Sequence, residues 1–210
     1  MSIAAEIERL VAREHHDPHA LLGAHPARGG VVVRAYRPDA ARVSAVADGR
    51  EPLALRRIHP AGVFAGRVSG ASLPLRYELE VAFADGAVSR SRDPYSFLPT
   101  LGELDLHLAA EGRHERLYEH LGAHVREIDG CRGASFAVWA PNARAVSVVG
   151  DFNGWDGRLH QLRILGGSGI WELFVPGVDP GARYKLELRD ATGTLRLKAD
   201  PLALETEAPP

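Results

Sequence analysis

The amino-acid sequence predicts an all-β fold made of two tandem β-sandwich domains, with a short N-terminal helix and a short helix in the linker. Two observations lead to this prediction. The chain contains an internal repeat of about one domain's length, and apolar and polar residues alternate along several short segments of each copy. Short strands separated by turns every ~8–12 residues are typical of a β-sandwich.

The repeat is visible in aromatic and turn residues. Residues 34–40 (RAYRPDA) and 137–143 (AVWAPNA) place an aromatic residue, a proline and an alanine at an offset of 103. Further positions recur at an offset of 107, namely Gly62 and Gly169, Tyr77 and Tyr184, Asp93 and Asp200. The second copy therefore has a longer loop between these two sets. The alternative is that glycine and proline punctuate any β-rich chain in this way.

These patterns divide the chain into four predicted segments. Residues 1–27 form a helix and a loop, and residues 28–99 form the first sandwich. Residues 100–128 form a linker with a helix around 114–121, and residues 129–207 form the second sandwich. The N-terminal helix follows from the helical spacing of Ile3, Ile7 and Leu10, with Ser2 as the N-cap.

Composition excludes several classes of protein. The net charge is −2, so a polyanion such as nucleic acid is not an expected partner. No apolar run is long enough to span a bilayer, and Glu6 and Glu8 interrupt the apolar stretch that a signal peptide needs. Cys131 is the single cysteine, which rules out an internal disulfide. We expect a cytoplasmic protein without a membrane partner.

A glycine-rich turn carries the sharpest candidate site. Residues 150–157 (GDFNGWDG) combine turn-forming residues with Trp155, whose indole is expected to be exposed on at least one face. Such a ring can stack on the C–H face of a glucose unit. Lys185 projects from the outer face of the alternating strand 184–189, and its ammonium donates hydrogen bonds that suit sugar hydroxyls.

The alternative is that Trp155 folds back into the core and Lys185 is an ordinary solvated lysine. The first copy has Glu78 at the position of Lys185 and a shorter loop at residues 47–50. If these residues served only the fold, both copies would be expected to keep them. Trp139 and Trp171 differ, because each lies in an alternating strand with apolar companions, and we predict both as core residues.

A second candidate is a metal site among four histidines near the start of the chain: His15, His16, His19 and His25. Zinc sites do use histidine. However, Pro18 marks a loop, and the histidines lack the helical i, i+4 spacing of a zincin. We predict a packed loop with hydrogen-bonded histidines, no metal and no cofactor. Nucleophile and phosphate-loop motifs are absent from the sequence.

Several motifs resemble those of bacterial glycogen branching enzymes. Residues 15–26 and 93–101 are similar to the first N-terminal module of that family. Residues 136–143 and 150–155 look like the start of the family-48 carbohydrate-binding module, and residues 198–201 look like its end. Isoamylases, debranching enzymes and glycogen-sensing kinase subunits share the second module, whereas the first points to branching enzymes. The resemblance implies immunoglobulin-like sandwiches.

The same resemblance implies that catalysis and the glucan contact of this segment lie in different parts of the enzyme. The family's chemistry belongs to a (β/α)8 barrel further along the chain, so this segment is expected to be inactive alone, to support the barrel and to contact α-1,4-glucan or glycogen. Trp155 and Lys185 match sugar-contact positions of glucan-sensing relatives, and we assign Asn153 of the same motif to this site. The second tryptophan of those relatives falls at Leu197, which predicts weak binding. Two alternatives stay open, a purely structural tandem sandwich and a self-contained metalloenzyme.

Overall fold

The computed structural model describes residues 2–206. Met1 and residues 207–210 lie outside the described part, and with them the outermost ends of the first and last predicted segments. The chain divides into two compact units, Met1–Ala12 with Pro18–Phe97, and Arg13–Asp17 with Leu98–Pro210. The described part contains fourteen strands and few helices, which confirms the all-β sandwich prediction.

The first unit begins with α1 (Ile3–Val11). The hydroxyl of Ser2 caps the helix by accepting a hydrogen bond of 3.3 Å from the N–H of Ala5. Ile7 and Leu10 are buried on one face of the helix. The predicted N-terminal helix and its cap are therefore confirmed.

Seven antiparallel strands follow, in the spatial order β1-β2-β5-β4-β3-β6-β7. They are β1 (Gly23–Ala27), β2 (Gly30–Tyr36), β3 (Ala40–Ala47), β4 (Leu53–His59), β5 (Val63–Ser69), β6 (Tyr77–Phe83) and β7 (Val88–Arg92). Single helical turns precede and follow them at Pro18–Ala20 and Pro94–Ser96. Because β4 pairs with both β3 and β5, one continuous sheet folds over a core that includes Val33, Phe64 and Tyr77.

The second unit has two sheets, of orders β10-β13-β14 and β11-β12-β9-β8. The strands are β8 (Gly122–Ile128), β9 (Cys131–Trp139), β10 (Ala145–Gly150), β11 (Arg163–Ile164), β12 (Ile170–Pro176), β13 (Tyr184–Arg189) and β14 (Leu195–Lys198). Phe136 of β9 packs edge-on against Tyr184 of β13, with 5.0 Å between ring centroids. The interior of the sandwich therefore lies between these two sheets.

Equivalent hydrogen bonds in the two units support the internal repeat. The hydroxyl of Tyr184 donates to Oδ2 of Asp200 over 2.6 Å, and the buried Tyr77 donates to Oδ2 of Asp93. Both tyrosines and both aspartates are related by the offset of 107 seen in the sequence. Each bond ties the sixth strand of its unit to the segment that follows the last strand.

The first strand of each unit begins before the predicted sandwich limits of 28 and 129. The tetrapeptide LGAH occurs at 22–25 and again at 121–124, and β1 and β8 begin at its glycines. Gly23 and Gly122 have φ of +90° and +98°, and a Cβ there would meet a backbone carbonyl oxygen at 2.6 and 2.9 Å. Pro26 favours a loop, but β1 is an edge strand, where a proline is tolerated.

The linker helix lies earlier than predicted. The structure has α2 at Glu103–Ala110 and only a single 3₁₀ turn at Leu117–Glu119, where the sequence predicts a helix around 114–121. A Schellman motif ends α2, since Gly112 has φ +67° and the N–H of Arg113 donates to the carbonyl of Leu108 over 2.9 Å. The leucines that follow pack on the second sheet rather than continue the helix.

No helix among the described residues is long and apolar enough to cross a membrane.

Candidate functional site

The turn after β10 holds Trp155 in an unusual backbone conformation. A 3₁₀ turn covers Asp151–Asn153, and Gly154 and Trp155 then both adopt left-handed conformations, with φ of +59° and +62°. A bulky residue at positive φ is rare and strained. The N–H of Trp155 donates to the carbonyl of Gly150 over 3.0 Å, which closes the turn. The indole stays 42% exposed, as its place in a turn predicts.

Asn153 holds this turn together from inside. Its side chain is buried, with Oδ1 accepting from the N–H of Gly150 and Nδ2 donating to the carbonyl of Val148 and to Nδ1 of His160, each over 2.9 Å. These bonds use both ends of the amide. The structure therefore gives Asn153 a different role from the sugar contact expected from the sequence, namely positioning of the turn.

Lys185 lies on the face of the β10-β13-β14 sheet that points away from the buried Leu186, which we call the outer face. Trp155 is linked to the start of that strand through Asp151 and Arg183. Lys185 is directly opposite Val149 in the β10–β13 pair, and Arg183 lies two residues before it on the same face. Nε of Arg183 binds Oδ2 of Asp151 over 3.0 Å, and Nε1 of Trp155 donates to Oδ1 of Asp151 over 3.2 Å. One carboxylate thus anchors the indole beside the strand that carries Lys185.

The charged residues near the candidate site include an ion pair, Asp151 with Arg183, and an exposed lysine, Lys185. The hydrogen bond from Arg183 holds the pKa of Asp151 below its ordinary value, so this carboxylate is ionised at neutral pH. Lys185 is exposed and has no hydrogen bond or ion pair within the part of the chain that the structure describes. The ammonium is therefore free to donate to a ligand. Leu197 lies opposite Glu187 on the same face and is 52% exposed, which adds an apolar surface without an aromatic ring.

Comparison with known proteins assigns a family to each unit. Residues 4–95 match the family described as "alpha-1,4-glucan branching enzyme GlgB, N-terminal domain". Residues 120–203 match "Carbohydrate-binding module 48 (Isoamylase N-terminal domain)". The chain is the N-terminal region of a GlgB-family protein. Its second unit is a family-48 module, and the outer face belongs to that module.

Two curated relatives show how much of a GlgB protein is present. The chain is 54% identical to the 1,4-alpha-glucan branching enzyme GlgB of Myxococcus xanthus, over 99% of the chain and 28% of the relative. It is 55% identical to GlgB of Frankia casuarinae, over 98% of the chain and 26% of the relative. The chain therefore spans little more than a quarter of their length. A pullulanase structure from Anoxybacillus sp. covers 85% of this chain and 25% of its own, but at 14% identity and a TM-score of 0.32 it supports no argument.

The two remaining tryptophans of the family-48 module behave differently from each other. Trp171 is 1% exposed and its Nε1 donates to the carbonyl of Ala140 over 3.0 Å, so the core prediction is confirmed. Trp139 is 61% exposed, so the core prediction is wrong there. It is the last residue of β9, and the apolar cluster that covers Ala137 on that face does not include it.

Sequence reasoning missed Asp151 and Arg183 as parts of the site. Asp151 lies within the glycine-rich motif, and Arg183 precedes Lys185 by two residues, so the alternation of the strand places it on the same face. Among the four N-terminal histidines, His15 and His25 form hydrogen bonds with nearby backbone atoms, and the rings of His15 and His16 stack with 5.8 Å between their centroids. Nδ1 of His15 accepts from the N–H of Asp17, and Nε2 of His25 lies 2.8 Å from the carbonyl oxygen of Leu22.

Proposed function

We propose that this chain is the non-catalytic N-terminal region of a 1,4-alpha-glucan branching enzyme of glycogen biosynthesis, and that the outer face of its family-48 module contacts an α-glucan. The observation that carries the sugar contact is the exposed indole of Trp155, held in a strained turn and bound to Asp151. The ion pair of Asp151 with Arg183 connects this turn to the strand of the unpaired Lys185. Strain at a fixed, exposed side chain is typical of a functional position.

The chemistry of the outer face matches that of a neutral sugar. Each glucose unit has an apolar C–H face for an indole and a rim of hydroxyls that accept and donate hydrogen bonds. Lys185 supplies donors and Asp151 supplies an acceptor, while its ion pair with Arg183 leaves no large net field to attract a polyanion. Because Leu197 replaces a second aromatic ring, we expect weak binding, with about 1–3 kcal/mol less than a module with two platforms.

The relatives are more than three times as long as this chain, which supports a proposal about the rest of the protein. We propose that the catalytic (β/α)8 barrel of the enzyme lies C-terminal to this region, that the two modules support it, and that the whole protein is cytoplasmic. The alternative is a purely structural tandem sandwich without sugar affinity of its own.

The test is titration of the purified chain with maltoheptaose by calorimetry, for wild type and two tryptophan variants. Trp155→Ala removes the proposed platform, and Trp139→Ala is the matched control because it removes an equally large, more exposed indole from the same module. We expect Trp155→Ala to weaken binding about 5- to 100-fold, corresponding to ~1–3 kcal/mol for a large buried side chain. Trp139→Ala should bind as the wild type does.

Thermal unfolding of both variants checks that the module is folded. Equal affinity of Trp155→Ala and wild type would remove the site assignment. Absence of measurable binding by the wild type would favour the structural alternative.

A further inference from the structure

Three side chains with metal-ligating atoms meet beside α2, away from the outer face. They are Asp105 on the helix and His114 and His120 on the segment that returns after it. Nε2 of His114 lies 3.0 Å from Oδ1 of Asp105, and Nε2 of His120 lies 3.7 Å from the same oxygen. The three ligand atoms all lie within 4.8 Å of one another.

We propose that Asp105, His114 and His120 bind a divalent transition-metal ion, with Zn²⁺ as the best match to the ligand set. Two imidazole nitrogens and one carboxylate oxygen form a recurrent zinc ligand set, and a fourth position stays open to water. With bonds of about 2.0–2.1 Å, the ligand atoms of a tetrahedral site are roughly 3.3 Å apart. The two distances to Asp105 lie on either side of that value. The distance from His120 to Asp105 has to shorten by roughly 0.4 Å to reach it.

The local fold orients the carboxylate toward the histidines. The N–H of Gly102 donates to Oδ2 of Asp105 over 3.0 Å at the start of α2, which leaves Oδ1 facing His114 and His120. Such an outer hydrogen bond is typical of carboxylates that ligate metals. The Schellman motif at Gly112 reverses the chain, and this reversal brings both histidines back to the helix.

The ring of His120 is the second observation that favours an ion. Its Nδ1 is buried and has no hydrogen-bond partner among the described residues, and Nε2 is too far from Asp105 for a hydrogen bond. A neutral imidazole has one donor and one acceptor nitrogen, so this ring lacks both partners. Nε2 is the nitrogen that faces Asp105, so an ion bound there supplies its partner while the proton stays on Nδ1.

The test is a Co²⁺ and Zn²⁺ titration of the tag-free 210-residue chain. Co²⁺ is followed by its visible absorption, and Zn²⁺ by equilibrium dialysis. The variants are Asp105→Asn and His120→Gln, and the matched control is His107→Gln, which removes an exposed histidine of α2 outside the cluster. We expect one equivalent of ion in wild type and control, and at least tenfold weaker binding in both cluster variants.

Two outcomes overturn the proposal. One is a wild-type chain that binds no ion at a stoichiometry of one, a result that does not depend on whether any variant folds. The other is equal affinity of wild type, control and cluster variants, which would assign binding to other histidines. In that case the cluster is an Asp-bridged histidine pair that fastens the linker segment.

Discussion

Trp155 and Trp139 are exposed indoles of the same module, but their surroundings differ. The indole N–H of Trp155 donates to Asp151, which also accepts from Arg183 at the start of the strand that carries Lys185. Trp139 ends its strand beside Gly169 and has no such neighbour in the described contacts. We therefore base the proposed sugar contact on the anchored orientation of Trp155, because both indoles are exposed.

The two lysines of the chain provide a matched test at the scale of a residue. Lys185 is on the outer face, whereas Lys198 is opposite the buried Leu186 in the β13–β14 pair and points to the other face. We expect Lys185→Ala to weaken maltoheptaose binding about 5- to 10-fold, because one solvent-exposed hydrogen bond contributes ~1 kcal/mol net. Lys198→Ala should leave the dissociation constant unchanged. Equal loss in both variants would contradict a specific role for Lys185.

The buried Asp93 predicts a pH dependence of stability in the first unit. Burial raises the pKa of Asp93 from 3.8 to about 6, against the lowering effect of hydrogen bonds from Tyr77 and Tyr95. A folded pKa above the unfolded one means that the native state binds more protons between about pH 4 and 6. The stability that this carboxyl contributes is therefore present below about pH 4 and lost as the pH rises through 6, by up to about 3 kcal/mol.

Asp93→Asn tests this dependence, because the amide is neutral at every pH and keeps an acceptor oxygen. We expect the free energy of unfolding of the variant to increase relative to wild type as the pH rises from 4 to 7. Chemical denaturation at several pH values measures the difference, which cancels the contribution of all other carboxylates. A difference that stays constant over this range would show that Asp93 has an ordinary pKa.

The turn residues of the motif predict the exposure of Trp155, but they do not predict that Asn153 holds the turn in place. The glycines and Asx residues of 150–157 identify a turn from sequence alone, and an indole in a turn is exposed. The amide of Asn153 finds its partners at Val148 and His160, on the strand before the turn and the segment after it. No local pattern in the sequence contains that pairing.

At the scale of elements, the alternation of side-chain directions along β13 and β14 determines which residues lie on the outer face. Lys185, Glu187 and Arg189 share this face, and Leu197 and Leu195 lie opposite the last two. The period-2 pattern of the sequence is sufficient to place Lys185 on the outward-facing side of β13. The same register places Leu197 next to the site and Leu195 about 7 Å further along the strand.

Leu197→Trp therefore introduces a second aromatic ring on which a glucose unit can stack. We expect maltoheptaose affinity to rise about 5- to 100-fold, since a second ring contributes ~1–3 kcal/mol. Leu195→Trp adds the same ring on the same strand and face, but further from Lys185, and should bind as the wild type does. Calorimetric titration compares the three chains. An unchanged affinity of Leu197→Trp would place the glucan away from β14.

The edge strands β1 and β8 and the linker helix α2 were not predicted at their observed positions, for different physical reasons. β1 and β8 each form the edge of a sheet, where glycine and proline are tolerated, so their sequences look like loops. For α2, the apolar residues after Gly112 have helical spacing, but the Schellman motif ends the helix before them. This reversal also brings together Asp105, His114 and His120, which no short sequence motif connects.

At the scale of the whole chain, the two units share a hydrogen-bonded framework but differ in the residues at the turn and strand that form the proposed site. Both units keep the LGAH start and the tyrosine–aspartate bond, so these features serve the fold. The longer turn with Trp155 and the lysine at 185 occur only in the second copy. We propose that the family-48 module is the copy in which the shared framework carries an additional site. The chain itself accounts for 28% of the length of the GlgB relative from Myxococcus xanthus.

The most direct measurement of the central claim is a ¹H–¹⁵N NMR titration of the chain with maltoheptaose. Three tryptophans give three indole N–H signals, which Trp→Phe variants assign. We predict a saturable shift of the Trp155 signal, while the signals of the buried Trp171 and the exposed Trp139 stay in place. A Trp155 signal that does not move at millimolar maltoheptaose, or a shift confined to Trp139, would contradict the proposed glucan contact.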